Sequence, residues 1–456
     1  MTALAFPIAI ICLASFQYGY HISALNSIHG ALTCLDRSGP VDSAVDWLPT
    51  CIPMTNVEFG IITSAYTLGG LIGSLLAGKL ANSHGRKRST VYAALFVIVG
   101  SLPMTLPISV WMIAFGRVLV GVGCGMSTVL VPMYLSEIAP SKMKGKIGIM
   151  TQLSIVLGIF AAQALSLPFV GPGQWRYIPF ISGIIALIQI LLMASVAESP
   201  KWQAQQDELA RKTSSTLIGP QASDPLLGEQ DALEGAKPDR YVPLSVPELL
   251  KSGEPAVRNG KWFVAFISAG QQVSGVNAVL YYSTSILMTV MPTNAKYIAL
   301  LVTAVNVLMT FPSIVLIDNM GRKPLFLLSS IGMCISSLVL AMAINHSLSA
   351  FASIFIITFV SSFAIGLGPL LFILVGEVVP EHASAAATSF GLAVNWTSNA
   401  LIGLTFLPLR DALSGSAGGG PGTGNGQGNV FFIFTGTMLI LTLGVARWYH
   451  PDSTEI

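Results

Sequence analysis

Residues 85–88 read GRKR and residues 136–140 read SEIAP; the same pair returns as GRKP at 321–324 and GEVVP at 376–380. Gly85 and Gly321 stand 236 residues apart, and Glu137 and Glu377 stand 240 apart. Two independent features at nearly one spacing mark a duplicated unit. Each copy sits in the same apolar frame. A helix crosses the hydrocarbon core with about 20 mostly apolar residues. Candidate runs fall near 4–26, 57–80, 89–108, 110–135, 147–170 and 177–197, then near 262–290, 296–317, 324–345, 350–377, 385–408 and 430–449. The expected fold is therefore all-α and membrane-embedded, with twelve transmembrane helices in two six-helix halves. Residues 1–197 and 261–456 are the expected bundles, the second with a short tail, and 198–260 is the expected cytosolic linker, with room for short helices.

Composition agrees. Of 456 residues, 53% are apolar and only 10% charged, against about 25% charged in soluble domains. A soluble chain of this length needs that polar cover, so a lipid bilayer is the expected surrounding. Lys and Arg number 23 against 21 Asp and Glu, which leaves no concentrated basic face for a nucleic acid. The first apolar run carries Gln17, His21 and Asn26 with no basic segment before it, and so reads as a retained span rather than a signal peptide. Cys12, Cys124 and Cys334 lie in apolar runs. Cys34 and Cys51 share one polar loop, where a disulfide on an oxidising side and two free thiols are both open readings. No Cys–His spacing suggests a metal site, and no cofactor is expected.

The loops after spans two, four, six and eight hold most of the Lys and Arg, including Arg86, Lys87, Arg88, Lys144, Lys146, Arg322 and Lys323. This asymmetry places both termini and the linker in the cytosol. Within the linker, Val246, Leu249 and Leu250 beside Glu248 and Lys251 suit a short amphipathic helix. The remainder, including 214–240, has a disordered composition, and its DPLLGE at 224–229 resembles a dileucine sorting signal. GSAGGGPGTGNGQGN at 414–428 reads as a flexible loop.

Polar residues inside the spans are mostly uncharged amides: Gln17 and Asn26, Gln152 and Gln163, Gln271, Gln272 and Asn277, Asn306, Asn395 and Asn399. An amide both donates and accepts, which matches a small neutral polyhydroxylated solute. The plainer reading of any one amide is a bond to a neighbouring helix. Gln152 and Gln163 are eleven apart, nearly three turns, and share a face. Gln272 and Asn277 differ by about 140° on an unbroken helix, so unwinding at Ser274-Gly275 is needed to bring them together. Glu137 and Glu377 sit beside Arg86 and Arg322 and read as ion-pair latches at the cytosolic side, against the plainer reading of static anchors. Arg117 has no acid opposite it in span one; His21 is its candidate neighbour, with carbonyl or water partners expected.

QQVSGVNAVLYYSTSI at 271–286 resembles the span-seven signature of the sugar-porter family of the major facilitator superfamily, which includes the GLUT-type hexose carriers. FQYGY at 16–20, GR at 116–117, VPMYLSEIAP at 131–140, TQL at 151–153, AESPKW at 197–202 and NWTSN at 395–399 support it. The resemblance covers the chain except the linker and the Gly-rich loop. It implies the major facilitator fold, a substrate site between parallel halves, and hexose transport by a monomeric carrier in the plasma membrane or an endomembrane. It implies that Gln152, Gln271, Gln272, Asn277, Asn306 and Asn395 bond sugar hydroxyls, and that Tyr281 and Tyr282 gate the outer side. Where relatives carry Pro-Trp in span ten, this chain has Leu371 and Phe372, so Phe372 takes the ring position; Ala364 replaces a Glu. Asn82-Ser83 replaces Asp-Arg in the first basic motif, which predicts a weaker latch there, whereas Asp318 keeps the acid in the second. His21 occupies the position where proton-coupled relatives carry Asp; with no embedded carboxylate, facilitated diffusion is expected over symport through His21 and Arg117. A non-transporting sensor is the rival reading, expected to carry a longer cytosolic tail than RWYHPDSTEI.

Overall fold

The computed structural model describes residues 2–34, 43–45, 48–140, 143–169, 173–218, 244–288, 294–414 and 426–449. The first half comprises α1 (Thr2–Leu32), α2 (Asn56–His84), α3 (Arg86–Thr105), α4 (Val110–Ile138), α5 (Lys144–Ser166) and α6 (Tyr177–Met193). The linker contributes α7 (Pro200–Ile218) and α8 (Val246–Lys251). In the second half, span seven is split into α9 (Pro255–Val273) and α10 (Val276–Met288), followed by α11 (Ala295–Met320) and α12 (Arg322–Asn345). Span ten is split into α13 (Ser349–Ile365) and α14 (Leu367–Glu377), and α15 (Glu381–Leu413) and α16 (Asn429–Trp448) complete the bundle. Among the described residues, eleven segments are long and apolar enough to cross a membrane. The twelfth span is α15, 33 residues long, whose apolar run is diluted by Asn395, Thr397, Ser398 and Asn399.

The duplication is visible in the backbone. Gly85 joins α2 to α3 at φ 86°, ψ 167°, and Gly321 joins α11 to α12 at φ 78°, ψ 171°. A one-residue reversal in that region is open essentially to glycine alone. Inside the first half, helices touch backbone to backbone. A Cβ on Gly121 would lie 2.1 Å from the Tyr66 carbonyl oxygen, and one on Gly125 would lie 2.1 Å from that of Gly70. Small residues permit such approach where the bilayer supplies no hydrophobic drive between helices. Gly125→Val is therefore expected to push α4 from α2 and lower the thermal midpoint in detergent by an overpacking cost of about 1–3 kcal/mol. An unchanged midpoint would refute that close contact.

Residues 200–218 correct one expectation. The composition of 214–240 suggested disorder, but α7 runs through Ile218. Its start combines Pro200 in the first turn with Ser199, whose Oγ accepts from Trp202 N at 3.3 Å, and QAQQDELARK that follows is rich in helix formers. The expected helix at 246–251 is present as α8. Buried Leu249 packs with Val257, Val379, Ala383 and Ala387, and Lys261 Nζ donates to the carbonyls of Leu249 (3.0 Å) and Leu250 (2.7 Å). The linker's end is thus strapped to the start of spans seven and eleven. DPLLGE and most of the Gly-rich loop lie outside the described residues. At the opposite end, Cys34 and Cys51 form a disulfide, closing a loop that holds the short antiparallel pair β1 (Ser43–Val45) and β2 (Leu48–Pro49). Trp175 Nε1 donates to Thr50 O at 2.8 Å, and Arg176 donates to Pro49 O and Thr105 O, so the loop is seated on the turn that precedes α6 and is tied through Arg176 to the end of α3.

Candidate substrate site between the two halves

Span seven breaks at Ser274-Gly275. Gly275 has φ 88°, and a Cβ there would also meet the Phe434 ring at 2.3 Å. Ser274 Oγ closes the break, donating to Gln271 O at 2.5 Å and accepting from Val276 N at 3.3 Å. The consequence is the one the helical wheel required: Asn277 turns back onto Gln272. Asn277 Nδ2 donates to Gln272 Oε1 (2.5 Å), Gln272 Nε2 to Asn395 Oδ1 (2.9 Å), Asn395 Nδ2 to Gln271 Oε1 (2.9 Å), and Gln271 Nε2 to Leu367 O (3.0 Å). The last acceptor is a backbone carbonyl, which cannot donate, so it sets the orientation of every amide before it. Four carboxamides from α9, α10 and α15 thus form one directional chain running onto the break in span ten. A carboxamide has two N–H donors and each spends one on its link; Asn395 Nδ2 also donates to Ser268 O (3.1 Å), Gln272 Nε2 to Gln271 Oε1 (3.4 Å) and Gln271 Nε2 to Gly368 O (3.5 Å), so among the described residues the open N–H is that of Asn277. The chain therefore offers both donors and acceptors while holding its own geometry.

Gln152 of α5 approaches the same place from the other half. Its Nε2 lies 3.2 Å from where a Cβ on Gly368 would sit, so the glycine admits it to the span-ten break. The remaining expected residues are placed differently. Asn306 is fully buried on α11, and neither amide atom has a hydrogen-bond partner among the described residues; the same holds for Asn399 and for Gln163 Nε2. None of these three is joined to the amide chain. Phe372 is half-buried against the main apolar core. Tyr281 and Tyr282 are buried; Tyr282 Oη donates to Gly403 O at 2.9 Å and its ring stacks on Phe406. Gly403 faces Thr63 and Ser64 of α2, so the halves meet beside these tyrosines, toward the disulfide end.

Trp396 lies within NWTSN at 395–399, but nothing in its spacing reveals its place. It extends from α15 into the first half, 2% exposed, edge-on to Tyr18 and Tyr66 at 5.3 and 5.7 Å between ring centres. Its Nε1 donates to Thr128 Oγ1 at 3.4 Å. A Cβ on Gly70 would strike its ring at 2.3 Å.

His21 and Arg117 form a second polar group inside the first half. Gln17 Nε2 donates to Ser182 O (2.7 Å), which directs Gln17 Oε1 to accept from Ser182 Oγ (3.0 Å). That hydroxyl proton being committed, Ser182 Oγ accepts from His21 Nε2 at 2.6 Å. His21 therefore carries its proton on Nε2, leaving Nδ1 with no partner among the described residues. Arg117 Nη1 donates to His21 O at 2.9 Å, and its guanidinium lies 4.3 Å from the centre of the Tyr66 ring. The carbonyl partner was expected; the cation–π contact with Tyr66 and the role of Ser182 were not, because neither lies at a readable offset.

The repeated ion pairs are both present and unequal. Arg86 holds Glu137 through two bonds of 2.9 and 2.8 Å, with side chains 6% and 9% exposed. Ser199 Oγ donates to the same carboxylate at 2.5 Å, Glu198 Oε1 accepts from Arg86 N and Lys87 N at the start of α3, and Trp202 Nε1 donates to Asn82 O. Arg322 and Glu377 pair at 3.2 and 3.0 Å with both side chains 44% exposed. The loss of Asp-Arg at Asn82-Ser83 was expected to weaken the first copy. Its ion pair is instead the buried one, because Glu198 and Ser199 from the AESPKW segment fill the junction. Each pair lies within one half. The side chain of Asp318 lies outside the described set.

Residues 8–449 match the family model described as Sugar (and other) transporter. A probable metabolite transport protein of Saccharomyces cerevisiae is 31% identical over 423 residues, covering 89% of this chain and 86% of that protein. Solute carrier family 2, facilitated glucose transporter member 4 of Homo sapiens is 32% identical over 422 residues, covering 88% and 81%. Among solved structures, the partially occluded inward-open xylose transporter XylE from E. coli matches over the full length of both chains with a TM-score of 0.73 at 22% identity, a likeness of fold.

Proposed function

Because this chain belongs to the sugar transporter family, we propose that it moves a hexose-like monosaccharide across a membrane by facilitated diffusion, with its two halves rocking around a midplane site. The observation that carries this reading is the directional chain Asn277–Gln272–Asn395–Gln271, which presents amide donors and acceptors beside Gln152 at the junction of the halves. A neutral polyol needs that mixture, whereas an anionic or cationic solute calls for a compensating charge. One chain holds the whole site, which supports a monomeric carrier. The Lys and Arg bias supports a linker end facing the cytosol, with Tyr281 and Tyr282 closing the opposite side.

The coupling mode follows from His21. A proton-coupled carrier needs a group that changes charge during the cycle. His21 already spends Nε2–H on Ser182, and a second proton would place a cation beside Arg117 with no carboxylate bonded to either among the described residues. An unbalanced charge of that kind is costly inside the membrane, which favours uniport.

Counterflow of labelled hexoses into liposomes holding the purified protein tests both parts. Exchange is expected to saturate, to fall about five- to thirtyfold in Gln271→Ala through loss of bonds worth about 1–2 kcal/mol, and to be indifferent to an imposed pH gradient. Gradient-driven accumulation would overturn uniport. Folded protein that exchanges neither hexose nor polyol would overturn the substrate class.

A further inference from the structure

The break in span ten leaves several backbone groups without their helical partners, and two of them share one substitute. In an unbroken helix Ser362 O would accept from Gly366 N and Phe363 O from Leu367 N. Here Gly366 N bonds Phe363 O instead, at 3.3 Å, which strands the Ser362 carbonyl and the Leu367 N–H. Both lie at mid-span, where lipid offers no replacement and an unmet backbone group is costly. A single hydroxyl from another helix meets both. Ser329 Oγ, on α12 and 1% exposed, donates to Ser362 O at 2.6 Å and accepts from Leu367 N at 2.8 Å. Gly366 makes room for it: a Cβ there would stand 2.6 Å from the Ser329 Cβ and 2.7 Å from Leu325 O.

Leu367 is also the residue whose carbonyl ends the amide chain, receiving Gln271 Nε2. Its N–H is held by Ser329 and its C=O is bonded by Gln271. We propose that Ser329 is a positioning residue for the sugar site: it fixes the broken backbone of span ten at Leu367, and through that carbonyl sets the place and orientation of Gln271. The inference rests on the sugar-transport reading above and names the part of the second half on which that site depends. Ser329 touches no substrate; it acts through the backbone.

Ser329→Ala removes the hydroxyl with little loss of volume. In hexose exchange its KM is expected to rise about five- to thirtyfold, the effect of losing one to two kcal/mol of hydrogen bonding, while Vmax per folded carrier stays within about twofold, as for an interaction that serves binding. Ser330→Ala is the control, because among the described residues the neighbouring Ser330 Oγ bonds only Leu327 O of its own turn; its KM should not move. A double-mutant cycle separates positioning from mere support. If Ser329 acts through Gln271, adding Ser329→Ala to Gln271→Ala should change KM no further. Independent multiplication of the two effects, or a Ser329→Ala loss confined to Vmax, would overturn the proposal. Should Ser329→Ala fail to fold, Ser329→Cys keeps the volume with only a weak donor and should show the same KM rise, whereas an unchanged KM would overturn the role. A wild-type chain that exchanges no hexose would overturn the transport reading itself, an outcome distinct from any of these.

Discussion

Gln272→Leu is expected to reduce hexose exchange by at least about thirtyfold. The side chain sits in the middle of the amide chain, donating to Asn395 Oδ1 and accepting from Asn277 Nδ2. Leucine fills a similar volume but strands both neighbours in a buried place, at a cost of about 1–3 kcal/mol for each unmet group. Gln271 and Asn395 keep the orientation set at Leu367, but it no longer reaches Asn277, which will rotate to find other partners. Gln272→Glu is the sharper variant. Its carboxylate still accepts from Asn277 but faces Asn395 Oδ1 with no proton to donate; its protonated form restores the donor. Exchange by this variant should therefore recover as pH falls and vanish as pH rises, whereas the wild type stays flat. A Gln272→Glu protein with the wild-type pH profile would show that the direction of the chain is wrong.

The second large effect lies at the linker end. Arg86→Ala leaves Glu137 buried with, among the described residues, only the Ser199 hydroxyl bonded to it, and breaking a buried pair in this way costs about 3–5 kcal/mol. The duplicate substitution, Arg322→Ala, opens a pair that is nearly half exposed, and exposed pairs contribute about 0–1 kcal/mol. Thermal unfolding in detergent should show a large fall for the first and almost none for the second. Equal falls would mean that burial does not govern these pairs. A larger fall for Arg322→Ala would restore the expectation drawn from Asn82-Ser83.

Much of this architecture was legible before any coordinates. The apolar runs set twelve spans because hydrocarbon thickness leaves few alternatives, and the repeated GRK segments marked two junctions that only glycine can make. The span-seven break was legible because Gln272 and Asn277 could not otherwise share a site, and Ser274-Gly275 was the one place to unwind. What stayed hidden depends on contacts between distant segments. Ser182 completes the His21 network from 161 residues away, and Ser329 reaches the span-ten break from 38 away; a lone serine in an apolar run has no signature. Asn306 was grouped with the sugar-binding amides by family resemblance, yet in this structure it stands apart from the amide chain. The helix at 200–218 was missed because a polar segment with good helix formers reads like a solvated linker until its N-terminal cap and the docked Trp202 indole are seen.

The indole of Trp396, lodged in the first half while its backbone belongs to the second, bears on how the halves can turn. Unseating a buried tryptophan costs several kcal/mol, on the order of the 3–5 lost when one is cut to alanine. A carrier that broke this contact on every cycle would climb that barrier each time it reoriented, loaded or empty. The contact is cheapest to keep where displacement is smallest, so the hinge line of the rocking motion should run close to Trp396, with Tyr18, Tyr66 and Thr128 as its socket and the gates swinging at either end.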